Sequence, residues 1–319
     1  MSRRVQRVPV FHLDGNRVSQ RVEQVCVESP LQILVRLGQG GSAQPLTITM
    51  RTPAETRTER DEEDADLALG FLVGEGLVRS PSEVLAVDTP IGDDDSVVVT
   101  LREGVELPTG RLARSFFSTS ACGVCGKSTL DGLAAIPSET LRPGWPHVQI
   151  QDLTRLPSVL RQAQATFERT GGLHAAALFD TELRLVALRE DVGRHNAVDK
   201  LLGSQLRAGT LPLHGHILLV SGRASFELVQ KARMACLPVF VAIGAPSSLA
   251  LEVARSAGMT LVGFLRDQQM NVYCGVERLR SGPGSLLRDE DVDDSEDVPA
   301  CQMPHNPAAG RRLPMIPAK

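Results

Sequence analysis

Aromatic side chains are scarce in this chain of 319 residues: one Trp, one Tyr and nine Phe, 3% of the total. That leaves few ring faces on which single-stranded nucleic acid could stack. A formal net charge of −4 gives no positive field for a phosphate backbone. No apolar run is long enough to cross a bilayer, and no charged-then-apolar leader opens the chain. The expectation is a cytoplasmic protein with neither nucleic acid nor membrane as partner. Cysteine is also sparse: six residues, of which Cys26, Cys236, Cys274 and Cys301 stand alone. A disulfide scaffold is therefore not expected, and no internal repeat is present. What remains is the composition of a soluble globular protein, 42% hydrophobic and 23% charged, long enough for two ordinary domains.

The other two cysteines form the chain's most distinctive stretch, Thr119-Ser120-Ala121-Cys122-Gly123-Val124-Cys125-Gly126-Lys127-Ser128-Thr129. Glycines at 123 and 126 leave the sulfurs uncrowded, and a helical pattern (Leu130, Leu133, Ala134) follows. A helix start and Lys127 both favour thiolate over thiol. Three chemistries suit such a loop. A structural zinc wants four ligands, and Cys122 and Cys125 supply two. A P-loop wants glycine where Ala121 stands in G-x-x-x-x-G-K-S. Sulfur chemistry asks only for a reactive thiolate on an open loop, and both cysteines qualify.

Residues 1–20 are basic, polar and without period, and read as a loose start. Residues 22–27, 31–37, 46–50, 84–87 and 97–101 read as strands of an N-terminal α+β domain over 21–136. Within it, residues 67–73 form a helix apolar on nearly all sides, hence buried, led by the acidic stretch 59–66. Residues 137–146 read as a linker, with three prolines and a glycine.

Residues 147–275 read as an α/β domain. Leu156, Leu160, Ala163 and Phe167 form a helical stripe, opened by Pro157 and stopped by Gly171-Gly172. Strands over 173–179 and 183–188 follow, then a helix start at 190–200 on which Asp191, His195 and Asp199 would share one face. From His216 the pattern is strand, helix, strand, helix, strand. Apolar runs without alternation predict a parallel sheet covered on both faces. Ligands collect at the carboxyl ends of such strands. Those ends are 221–225, 244–248 and 264–267; helix N-termini with Arg223 and Arg266 there suit phosphate oxygens. Residues 276–319 read as a disordered tail, acidic over 289–297.

Several ordered runs resemble the formate dehydrogenase accessory sulfurtransferases, the FdhD family. They are Met50-Arg51-Thr52-Pro53, 67–77, the 122–127 loop, Gly171-Gly172-Leu173-His174-Ala175-Ala176, 190–200, 221–231, 246–250 and 258–273. The segment 54–64 is longer and more charged than the family's usual link, and positions 267–269 read Asp-Gln-Gln. The resemblance implies an α/β fold with a cytidine deaminase-like carboxy-terminal domain and a smaller N-terminal α+β domain, acting as a homodimer. It implies a sulfurtransferase, not itself a formate dehydrogenase. Sulfur would pass as a cysteine persulfide from a cysteine desulfurase to the Mo- or W-bis(molybdopterin guanine dinucleotide) cofactor of formate dehydrogenase. Cys122 would carry the persulfide, with Cys125 beside it. Phe264, Leu265, Arg266, Asp267, Gln268 and Gln269 would contact the cofactor, with Ser221, Arg223, His174 and His195 as further contacts. No bound metal is implied: the deaminase zinc signature needs a Glu two after its histidine, and position 176 is Ala.

Overall fold

The structure, a computed structural model, describes residues 3–90, 92, 94–107, 140–266 and 268–282. Cys122, Cys125 and Asp267 lie outside the described residues, as do residues 137–139 of the linker and the tail from residue 283.

Residues 1–20 depart from their loose reading. β1 (Val5–Asp14) and β2 (Arg17–Cys26) form an antiparallel hairpin in continuous register from Val5↔Cys26 to Asp14↔Arg17. Its two-residue loop has Gly15 at φ +56°, the left-handed conformation that a tight hairpin asks of its first central residue. β3 (Ser29–Leu37), β4 (Gln44–Arg51), β5 (Val84–Asp88) and β6 (Ser96–Leu101) then make a four-stranded sheet in the order β4-β3-β6-β5. Between β4 and β5 lies α1 (Arg57–Gly74). The acidic stretch 59–66 belongs to this helix rather than leading into it. Thr56 and Glu59 close a reciprocal capping box that starts it.

β7 (Val148–Gln149), α2 (Ile150–Leu153), α3 (Leu156–Ala163) and α4 (Ala165–Thr170) open the second half. The stripe read as one helix is thus two, broken at Gln164, and Gly171 in the left-handed region ends the second. β8 (His174–Phe179), β9 (Leu185–Asp191), α5 (Arg194–Arg207), β10 (Ile217–Val220), α6 (Phe226–Met234), β11 (Val239–Ala242), α7 (Ser248–Ser256), β12 (Thr260–Arg266) and β13 (Gln269–Cys274) follow. A short β14 (Leu279–Arg280) pairs with β7. The six-stranded sheet runs β13-β12-β11-β10-β8-β9. Only β10, β11 and β12 are mutually parallel; hairpins flank them on either side, so the sheet is mixed.

Strand pleating divides this sheet's side chains between two apolar clusters. Leu218, Val220, Phe240, Ala242 and Leu261 face α5, α6 and α7, and their cluster continues into Leu31, Ile33, Val97 and Val99 of the four-stranded sheet. Ile217, Leu219, Val239, Val241 and Val262 face the other way, onto Leu153, Leu156 and Leu160. Each fully buried leucine here contributes about 1.5–3 kcal/mol. The first cluster therefore joins the halves that the sequence divides at residue 136.

The junction between the halves is α1 against α5. At their crossing, a Cβ on Gly70 would collide with the Asp199 carbonyl, and one on Gly203 with the Asp66 carbonyl. Around it lie buried ion pairs. Lys200 Nζ stands 2.8 Å from Asp191 and 3.0 Å from Glu63, and donates to the Thr52 carbonyl. Arg51 holds Asp64 through two hydrogen bonds of 2.7 and 2.9 Å. Lys231 stands 2.8 Å from Asp199. Burial alone would lower the Lys200 ammonium, but Asp191 and Glu63 outweigh it and raise it. Burial raises the Asp64 and Asp199 carboxyls in spite of their partners.

A candidate ligand cleft at the carboxyl end of the mixed sheet

The helix-face reading of Asp191, His195 and Asp199 fails because Asp191 ends β9, before the helix begins. Its carboxylate accepts from the backbone N–H of Thr52 and Gly193 and from Asn196 Nδ2. Asp199 is paired with Lys231. Both belong to the junction of the halves. His195 Nε2 lies 3.9 Å from Glu227 Oε2, an ion-pair distance. Burial works to raise the Glu227 carboxyl, yet His195 and the amide at its own helix start hold it at about 2.

Where the parallel strands end, a cleft of about 550 Å³ opens. Ser221, Ile243, Leu265 and Arg266 line it from the ends of β10, β11 and β12. Because β8 runs antiparallel to β10, its first residue, His174, arrives at the same edge. Ser221 is fixed there: its Oγ accepts from the Ala175 N–H at 2.9 Å, and its own proton is still available to donate. Burial, with the charges of Arg194 and His195, pushes the His174 imidazole down, so at neutral pH it is uncharged. The far wall is helical, with Leu160, Arg161 and Gln164 from α3 and its end, and Phe167 from α4. Glu190 anchors that wall, accepting from the Thr166 and Phe167 N–H groups.

Among the described residues the lining contains no Asp or Glu, while Arg161 and Arg266 both reach it. Neither arginine has an ion-pair partner among the described residues. The site is thus positive, with an apolar floor and two fixed uncharged hydrogen-bonding groups, and it suits an anionic ligand with a flat body.

The predicted site residues divide accordingly. His174, Ser221, Leu265 and Arg266 come together in the cleft. Phe264 takes φ +53° at an irregularity in the β12–β13 pairing, so its ring turns outward, 39% exposed, while Leu265 turns in. Gln268 and Gln269 sit at the exposed turn into β13, outside the lining. Arg223 is exposed and packs over Gly244, also outside it.

The phosphate reading of the two small-residue loops needs revising as well. Ala224 N–H donates to Ala245, Gly244 N–H to Gly222, and Ser247 N–H to Ala224, so these amides bind the loops to each other. The fixed positive charge in the cleft is that of Arg161 and Arg266. Arg161, Gln164 and Phe167 were not legible as site residues, because Phe167 belongs to a stripe that reads as core. The signal that could have exposed them is the pair of polar side chains, Arg161 and Gln164, one helical turn apart beside that stripe.

Residues 27–280 match the model of the FdhD/NarQ family. The Sulfur carrier protein FdhD of Streptomyces avermitilis is 46% identical over 288 residues, covering 88% of this chain and 97% of that protein. The protein of the same name from Mycobacterium tuberculosis is 43% identical over 281 residues (85% and 96%), and that of Sulfolobus acidocaldarius 40% over 266 (83% and 94%). A formate dehydrogenase accessory protein from Desulfotalea psychrophila has a crystal structure that superposes with a TM-score of 0.66 at 21% identity. It covers 86% of this chain and 99% of that one, a likeness of fold. The family match begins just after the hairpin and ends with the last strand, taking in both sheets, the buried junction and every wall of the cleft: the chain belongs to the FdhD/NarQ family.

Proposed function

We propose that this protein is a sulfur carrier that loads sulfur as a persulfide on Cys122 and delivers it to a nucleotide-bearing molybdenum or tungsten cofactor docked in the cleft. The observation that carries the reading is the cleft, with no acid among its described lining residues, where Arg266, Ser221 and a neutral His174 meet at the strand ends. The residues fit one nucleotide arm of a bis(molybdopterin guanine dinucleotide): arginines for phosphate oxygens, apolar side chains for a flat ring, and volume in the range of single-ligand sites. That cofactor is the substrate, and its metal centre is what receives the sulfur. A cysteine desulfurase is the donor, formate dehydrogenase the recipient of the finished cofactor, and a second copy of the chain the partner in a homodimer. The carboxy-terminal sheet serves as a deaminase-like scaffold without zinc chemistry.

Loading needs no oxidant. The Cys122 thiolate attacks the terminal sulfur of the donor's persulfide, a new S–S bond forms, and the donor's cysteine leaves as thiolate. Cys125 stands three positions on, able to share or resolve the persulfide. Intact-mass spectrometry after incubation with a desulfurase and cysteine tests this step. One added sulfur atom per chain, absent in Cys122→Ala, is expected. Loading that survives in Cys122→Ala and vanishes in Cys125→Ala would move the role to Cys125. No loading in any form would defeat the carrier reading.

A further inference from the structure

The helical wall of the cleft is the part that neither the family resemblance nor the strand-end argument assigns. It is built oddly for a structural element. The chain breaks at Gln164, φ −87° and ψ 66°, between two short helices that could have been one. Glu190 holds the break by capping the first amides of α4. The break keeps Gln164 in the lining, 5% exposed, and its Nε2 has no hydrogen-bond acceptor among the described residues. A buried amide donor left without a partner costs about 1–3 kcal/mol, so a purely structural role would favour an apolar side chain there. Three residues earlier, Arg161 reaches the same cleft without a carboxylate partner among the described residues.

We propose that this wall reads the nucleotide. Arg161 grips the phosphates together with Arg266, and the Gln164 carboxamide donates to a ring carbonyl of the base. The inference rests on the cofactor reading above and deepens it. The ligand class is a purine nucleoside diphosphate with a carbonyl at the six-position of the ring; a six-amino purine offers a donor there and leaves Nε2 unanswered. Phe167 and Leu160 supply the apolar surface under the ring.

Calorimetric titration of the full chain with GDP and with ADP tests it, in wild type, Gln164→Met and Arg161→Ala. Wild type should prefer GDP by at least about tenfold, the discrimination that one buried polar contact gives. Gln164→Met keeps the shape and removes the donor. It should lose about tenfold or more in GDP affinity, bring GDP and ADP level, and leave the melting temperature unchanged or higher. Arg161→Ala should weaken both nucleotides and flatten the salt dependence of binding, with the preference for GDP kept. Wild-type affinity for GDP in either variant overturns the inference, as does a retained preference in Gln164→Met. Should wild type bind neither nucleotide, the cofactor reading of the cleft itself fails, before any question about this wall arises.

Discussion

Lys200 and Asp191 meet at 2.8 Å with neither side chain exposed to solvent. The lysine lies on α5 and the aspartate at the end of β9, while Thr52 of the N-terminal half touches both, donating its N–H to Asp191 and accepting at its carbonyl from Lys200. The arrangement ties the two halves at one point. Lys200→Met leaves Asp191 buried beside Glu63 without its cation and should cost about 3–5 kcal/mol in urea unfolding. A loss below about 1 kcal/mol would show that the pair is dispensable to the fold.

The crossing of α1 and α5 gives a second expectation. Gly70→Ala would place a methyl group against the Asp199 backbone, which cannot move without disturbing the Lys231 pair. A destabilisation of about 3 kcal/mol or more is expected, the upper end for overpacking. Gly40→Ala is the control, since nothing lies within 4 Å of the added Cβ. Its unfolding midpoint should stay near wild type.

The histidine at the cleft edge predicts a pH dependence. The folded His174 has a lowered pKa, so between that value and the ordinary 6.5 the unfolded chain binds more protons than the native one. Stability therefore falls as pH drops through 6.5 and stops falling once the folded imidazole protonates. His174→Gln should remove this share of the slope, measured as melting temperature against pH. The same protonation adds a cation to the cleft, so GDP should bind wild type more tightly at low pH, an effect absent in His174→Gln. A parallel pH profile for the two proteins would exclude His174 from the ligand's surroundings.

Exposed apolar groups on the hairpin carry the fourth expectation. Phe11 and Leu13 are 68% and 67% exposed. Serine at both positions should change unfolding free energy by no more than about 0.5 kcal/mol, as surface substitutions do. A larger loss in urea titration would mean that these side chains are covered in solution.

The parallel strands were legible because β10, β11 and β12 are unbroken apolar runs, and their ligand-bearing ends follow from topology alone. Ser221 and Arg266 were found that way, whereas His174 came with the family resemblance. Of the antiparallel flanks, the return of β9 after the turn at 180–182 was readable, whereas β13 was missed, since a run such as 261–265 does not show which way its neighbour points. α1 was placed a helical half too late: its charged first turns look like a linker until Arg51, Lys200 and Arg189 are known to lie opposite Asp64, Glu63 and Asp66. The capping box at Thr56 and Glu59 was the available signal. The hairpin had one too, Gly15-Asn16 between two valine-bearing runs, hidden by the polar residues around it. Asp191 and Asp199 share a helix face in the sequence reading and prove to be fasteners, because partners distant in the chain decide what a carboxylate does.

The glycine crossing of α1 and α5 has a bearing on how relatives can be recombined. The two halves touch there backbone to backbone, so each glycine fits only a partner that also leaves its side of the groove bare. A chimera joining the first half of one family member to the second half of another would need Gly70 and Gly203 together. It would equally need the lysines at 200 and 231 with their acids from α1 and its end, Glu63 and Glu75. Segments exchanged singly would bring mismatched charge into a buried space. The halves are inherited as a matched set.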